Sequence, residues 1–142
     1  LQASGEDPSN WMKEDQQIVF DKLKNWVEEN EVTFLSSEKN VWSETHWFGG
    51  ICDVVLEMKG KKYIGDFKTS SGIYNEAFFQ IAAYDIAMQE MGLHKADEIE
   101  GYIVINLKKD GKLDFKMALD KELNQQAFLS ALSLYKITKT LQ

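Results

Sequence analysis

Apolar residues recur along the chain with two different periods, and the switches between them mark out eight elements. Between residues 10 and 30, Trp11, Ile18, Val19, Leu23 and Trp26 are spaced for one face of a helix, with Asn10 placed to cap its start. Residues 32–43 read as an extended strand. Strands over 51–58 and 63–69 follow, and the Lys59-Gly60-Lys61-Lys62 turn between them predicts an antiparallel hairpin. A second helix is expected over 75–91, burying Phe78, Phe79, Ile81, Ala82, Ile86 and Met88, with Gly92 as its stop. Runs at 101–107 and 113–119 flank an Asp110-Gly111 turn, the mark of a second hairpin. A last helix over 120–141 is expected to turn Leu123, Phe128, Leu129, Leu132, Leu134 and Ile137 inward. The order α-β-β-β-α-β-β-α predicts an α/β fold in which helices flank a central mixed sheet.

Length and composition sharpen this picture only a little. The 142 residues suffice for one domain with a sizeable core, spanning 1–142. No apolar run approaches a membrane span, so no membrane partner is expected. Residues 1–9 read as a polar, flexible lead-in that contains Pro8 and lacks a signal pattern. The single cysteine rules out an internal disulfide and suits a reducing, cytoplasmic setting, with Cys52 expected as a buried thiol. The net charge of −7 excludes a broad basic footprint for nucleic acid. It leaves room for a small basic rim. Lys59, Lys61, Lys62 and Lys68 on the first hairpin, and Lys108, Lys109, Lys112 and Lys116 on the second, are its candidates, against the simpler expectation of solvated hairpin tips.

The chemistry concentrates in three short stretches: Gly49-Gly50-Ile51-Cys52-Asp53, Gly65-Asp66-Phe67-Lys68-Thr69-Ser70, and Gln80-Ile81-Ala82-Ala83-Tyr84. Strand side chains alternate faces. Asp66 and Lys68 therefore share one face, and Phe67 points to the other. The hairpin brings Asp53, near the start of its first strand, beside Asp66, near the end of its second. Two converging carboxylates supply the hard oxygen donors a divalent cation requires, and a lysine beside them can stabilise an attacking water or a developing negative charge. Gln80 and Tyr84, four apart, share one helix face. Glu38 is a further candidate ligand, or the partner of a lysine. Thr69 and Ser70 are placed to bind a phosphate or to cap the loop. Trp42, Trp47 and Phe48 could stack on bases or pack in the core.

In that order, Gly-x-x-Asp (Gly50 to Asp53), Asp-x-Lys (Asp66 to Lys68) with Thr69-Ser70, and Gln-x-x-x-Tyr (Gln80 to Tyr84) resemble the RecB-like branch of the PD-(D/E)XK nucleases. Glu38 also has a counterpart in the mitochondrial genome maintenance exonucleases of that branch. The resemblance covers about residues 36–90. It implies a restriction-endonuclease-like fold and a metal-dependent DNA exonuclease acting on single strands or DNA ends. It assigns Mg²⁺ or Mn²⁺ to Asp53, Asp66 and the Phe67 backbone carbonyl, with Lys68 and Gln80 as catalytic groups and Thr69, Ser70 and Tyr84 on the substrate. The family usually adds a metal-binding histidine from a helix before the sheet. Here only His46 and His94 exist, and neither is on that helix. The expectation is therefore either a histidine helix upstream of Leu1 or a site of two carboxylates, a carbonyl and waters. The alternative expectation is a degenerate nuclease-fold module that binds nucleic acid without cutting it.

Overall fold

The computed structural model describes residues 8–142 except Lys109, with side chains from Gln17 onward. Helix α1 (Pro8–Glu29) is followed by strands β1 (Val32–Ser43), β2 (Phe48–Met58) and β3 (Lys61–Lys68), helix α2 (Asn75–Glu90), strands β4 (Gly101–Leu107) and β5 (Leu113–Ala118), and helix α3 (Lys121–Leu141). This is the α/β order that the periodicity predicts. The five strands form one sheet in the order β1-β2-β3-β4-β5. Only β3 and β4 run parallel, because α2 carries the chain back across the sheet between them. No described helix is long and apolar enough to cross a membrane.

Each sheet face has its own core. On one face α2 packs Phe78, Ile81, Ala82 and Met88 against Val41, Cys52, Ile64 and Val104. On the other, Trp26 of α1 meets Val54, Leu56, Tyr63 and Ile105, and its ring lies edge-on to Phe115 at 5.4 Å between centroids. The two central strands are buried on both sides, so β4 reads Tyr102-Ile-Val-Ile-Asn106 with almost no alternation.

Strand β2 contains a change of phase that matters for the site. Val54, Leu56 and Met58 belong to the α1-side core, yet Cys52, two residues earlier, belongs to the α2-side core. A regular strand would keep all four on one face. The pleat is interrupted at Asp53. Facing it on β1, between the pairs Ser37↔Val54 and Lys39↔Cys52, Glu38 adopts φ 45°.

Several expected details differ. Residues 1–7 and the Trp11 side chain lie outside the described residues. The helix already runs through Asn10, so Asn10 does not cap it, and Pro8 opens α1, where its missing N–H costs no bond. Ile18 is 50% exposed, since α1 rests on the sheet through its second half. On α2, Phe79 and Ile86 are only half-buried, whereas Tyr84 and Asp85 are buried. On α3, Leu123, Leu134 and Ile137 point to solvent. This helix packs chiefly on α2, and only one side of it, with Phe128, Leu129 and Leu132 half-buried, faces the domain.

Candidate functional site

The site forms where β2 and β3 part. Their last paired residues are Val54 and Gly65, so Asp53 and Asp66 are the next residues on each strand. Freed from the ladder, the Phe67 N–H donates to Asp53 Oδ2 at 3.0 Å. In an extended strand the N–H and C=O of one residue lie along the same edge. The Phe67 carbonyl therefore belongs to the Asp53 edge as well. The Phe67 ring faces away, 6.4 Å from Phe34, as the alternation predicts.

Asp66 is 3% exposed. Lys68 Nζ lies 2.9 Å from its Oδ2, but the approach is a charge contact rather than a directed hydrogen bond, and Oδ2 stays buried without a donor aimed at it. Burial, and then the neighbouring Asp53 carboxylate, push the Asp66 pKa up to about 6, with Lys68 offsetting only part of the rise. Lys68 also donates to Gln80 Oε1 at 3.3 Å, and Gln80 Nε2 donates to the Tyr84 hydroxyl at 2.7 Å. The i, i+4 spacing on α2 thus continues a polar relay from Asp66 through Lys68 and Gln80 to Tyr84. Burial, and then the Asp66 charge, hold the Tyr84 pKa above its ordinary value. Gly50 is required beside it, because a Cβ there would sit 2.9 Å from Tyr84 Cε1.

These groups line one cleft of about 790 Å³. Asp53, Asp66, Lys68, Glu76 and Gln80 form its polar wall, and Phe48, Ile51, Phe79, Phe128 and Leu132 its apolar wall. Phe48 and Phe128 pack edge to face at 4.9 Å, which brings α3 into the site. Trp42 and Trp47 stand apart. Trp47 is 84% exposed on the β1–β2 turn, and Trp42 lines a separate depression with Glu44, Thr45 and Glu90. Of the three aromatic candidates, only Phe48 reaches the cleft.

The loop after β3 is held from below. Asn106, fully buried in β4, accepts from Ser70 N–H at 3.0 Å and donates to Ser70 C=O at 2.9 Å. Sequence reasoning passed over Asn106; its signal was one amide in an otherwise apolar central strand. The Ser70 hydroxyl donates to Gly72 C=O at 2.7 Å, so it shapes the loop. Thr69 is exposed and lines a second depression, of about 600 Å³, with Ser71, Lys108 and Asp110. The lysine clusters divide accordingly. Lys61 and Lys62 lie at the opposite end of β3, about 16 and about 13 Å from Asp66 along the strand, with Lys59 in the turn beyond them, and Lys61 faces Glu100 at 3.5 Å. Among the described residues, Lys68, Lys108 and Lys112 are cluster members at the site end. The tip lysines of the first hairpin are exposed, which agrees with the simpler expectation of solvated hairpin tips, because strand direction carries them away from Asp66.

Glu38 is exposed, and among the described residues no three His, Cys, Asp or Glu side chains gather closely enough to hold a metal. His46 lies against Phe48, 6.4 Å between ring centroids. His94 is engaged elsewhere, 2.6 Å from Asp85. Asp53, Asp66 and the Phe67 carbonyl nevertheless fit a hard divalent cation: the donors are oxygens, and Asp66 Oδ2 is buried with only the Lys68 charge against it, so a cation would further favour its ionisation. Water would complete such a shell.

A second polar cluster lies near the start of β4. Asp85, 0% exposed, accepts from the Tyr102 hydroxyl at 2.6 Å, Gln89 at 3.0 Å and Gln125 at 3.2 Å, besides its contact with His94. Burial opposes its ionisation, but the bonds from His94, Tyr102 and Gln89 outweigh burial and hold its pKa below the usual carboxylate value. This cluster ties α2, the following loop, β4 and α3 together. Compared with known proteins, the chain matches no family model and no curated protein.

Proposed function

We propose that this domain is a metal-dependent deoxyribonuclease of the RecB-like PD-(D/E)XK kind, acting as an exonuclease on single strands or DNA ends. The observation that carries the reading is the Asp53 carboxylate beside the buried Asp66, with Lys68 2.9 Å from Asp66, in one open cleft. A degenerate module has no physical need to bury a carboxylate beside another at the expense of its ionisation. Asp53, Asp66 and the Phe67 carbonyl would hold Mg²⁺ or Mn²⁺, which when bound polarises a phosphoryl oxygen and lowers the pKa of a water. Asp53 is oriented for this by the Phe67 N–H. Lys68 is positioned to orient the nucleophilic water or stabilise the charge developing on phosphate. Gln80 fixes the Lys68 ammonium, and Tyr84 fixes Gln80. The exposed Thr69 and the half-buried Lys108, in the second depression, would take the adjoining phosphate, and the resemblance implies 3′-hydroxyl and 5′-phosphate products.

The test is cleavage of end-labelled single-stranded and duplex oligonucleotides with Mg²⁺ or Mn²⁺, by the wild type and Lys68→Ala. Metal-dependent cleavage lost in Lys68→Ala supports the reading. The second reading, a binding module without activity, draws on the two-carboxylate donor set. It would be favoured if neither ion supports cleavage while the wild type binds the same oligonucleotides.

A further inference from the structure

Helix α3 is apolar on two opposite sides. Its inner side presents Phe128, Leu129 and Leu132 toward the body of the domain. Its outer side carries Leu123, Leu134, Ile137 and Leu141, which are 61, 66, 58 and 82% exposed. With Ala127 and Ser130, the outer residues follow a strict alternation of steps: Leu123, Ala127, Ser130, Leu134, Ile137, Leu141 advance by four, three, four, three and four. That is the 3.5-residue period of a helix–helix seam.

We propose that this outer face of α3 is a self-association surface, on which α3 of a second copy lies antiparallel. The proposal is independent of the nuclease reading. Three features select this occupant. The positions flanking the seam are Asn124, Gln126, Ala131, Ser133, Thr138 and Thr140, all uncharged. Charges at flanking positions choose partners and would repel an identical helix. Here, in a chain with 27% charged residues, both are missing from the seam's borders. A membrane surface fits poorly, because interfacial helices flank their apolar face with basic residues. The α3 lysines Lys121 and Lys136 instead turn inward to the carbonyls of Ile99 and His46. Finally, the stripe is complementary to its own reverse. Paired antiparallel about its midpoint, Leu123 meets Leu141 of the partner subunit, Ala127 meets Ile137 of the partner subunit, and Ser130 meets Leu134 of the partner subunit. Small residues face large ones, as interdigitating layers require. A parallel pair would set Ala127 on itself and Ser130 on itself and leave gaps. A two-fold pair of this kind is isologous and closes at two copies.

Sedimentation equilibrium of the 142-residue chain at 10–200 µM (about the range where weak dimers show) reads the mass directly. The wild type should reach twice the chain mass. Leu134→Glu and, separately, Ile137→Glu should remain at the chain mass with unchanged far-ultraviolet circular dichroism. Orientation is read by mixing Ser130→Cys chains with Leu134→Cys chains under oxidation: an antiparallel seam gives the mixed disulfide in preference to either homodimer. A wild type that stays monomeric overturns the proposal, as does a dimer that survives both glutamates with the fold intact. Homodimer-only cross-linking overturns the antiparallel seam. Wild-type binding to phosphatidylcholine–phosphatidylglycerol vesicles without self-association would assign the face to a lipid surface instead.

Discussion

Replacing Asp66 by asparagine should stabilise the metal-free domain at neutral pH, although Asp66 is a central residue of the site. Its carboxyl is 3% exposed and lies beside Asp53, and its pKa rises from 3.8 to about 6. A carboxylate whose folded pKa lies above its unfolded value binds its proton more tightly when folded. Stability therefore falls as pH rises from about 4 to about 6, and the penalty persists above that window. A shift of about 2 pH units, at about 1.4 kcal/mol each, sets a ceiling near 3 kcal/mol. Loss of the Lys68 charge contact and imperfect amide geometry reduce the gain, so about 1–2 kcal/mol is expected at pH 7.5. Below pH 4, where the wild-type carboxyl is itself protonated, the two proteins should differ little. The assay is urea unfolding with a chelator at pH 4 and pH 7.5, compared at constant m-value. Millimolar Mn²⁺ should then reverse the order at pH 7.5, by stabilising the wild type through mass action and the variant far less. An Asp66→Asn protein less stable than wild type at pH 7.5, or a gain independent of pH, would refute the picture of a strained, cation-seeking carboxyl pair.

Lys68→Ala should abolish cleavage while shifting the melting temperature by only a few degrees, because its side chain faces the cleft; unfolding of this variant would show that the lysine is structural. Gly50→Ala should displace the Tyr84 ring and cost about 1–3 kcal/mol, measurable by thermal melts. Asp85→Ala should cost about 3 kcal/mol at pH 7 by stranding Tyr102 and Gln125. Because the Asp85 pKa is held below its unfolded value, its contribution is present above about pH 4 and disappears as pH falls further, the opposite sign to Asp66. In Ca²⁺, Lys108→Ala should lower the salt slope of single-strand binding by about 0.7, while Lys62→Ala should leave it unchanged. Equal effects of the two would contradict their placement at opposite ends of the β3–β4 pair.

The local parts of this protein were legible in its sequence. Strand and helix periods place β1 at Val32–Ser43 and β4 at Gly101–Leu107, and the hairpin turn at Lys59-Gly60 sets the register that brings Asp53 beside Asp66. Alternation alone puts Asp66 and Lys68 on one face and Phe67 on the other, and helical spacing alone aligns Gln80 with Tyr84. All of these follow from two or three dihedrals repeated over a few residues. What the tertiary structure decided is what depends on partners far along the chain. Asn106 holds the Ser70 loop only because β4 lies parallel to β3, thirty-six residues away. Asp85 is buried because Tyr102, His94 and Gln125 arrive from three other segments. Lys59 and Lys62 fall away from the site because strand direction, which a cluster of like charges does not record, carries them to its far end. The two apolar sides of α3 look alike in a hydrophobic pattern. Which one the domain buries was settled by the packing of α2, since burial is a property of the space a neighbour leaves and not of the residue that fills it.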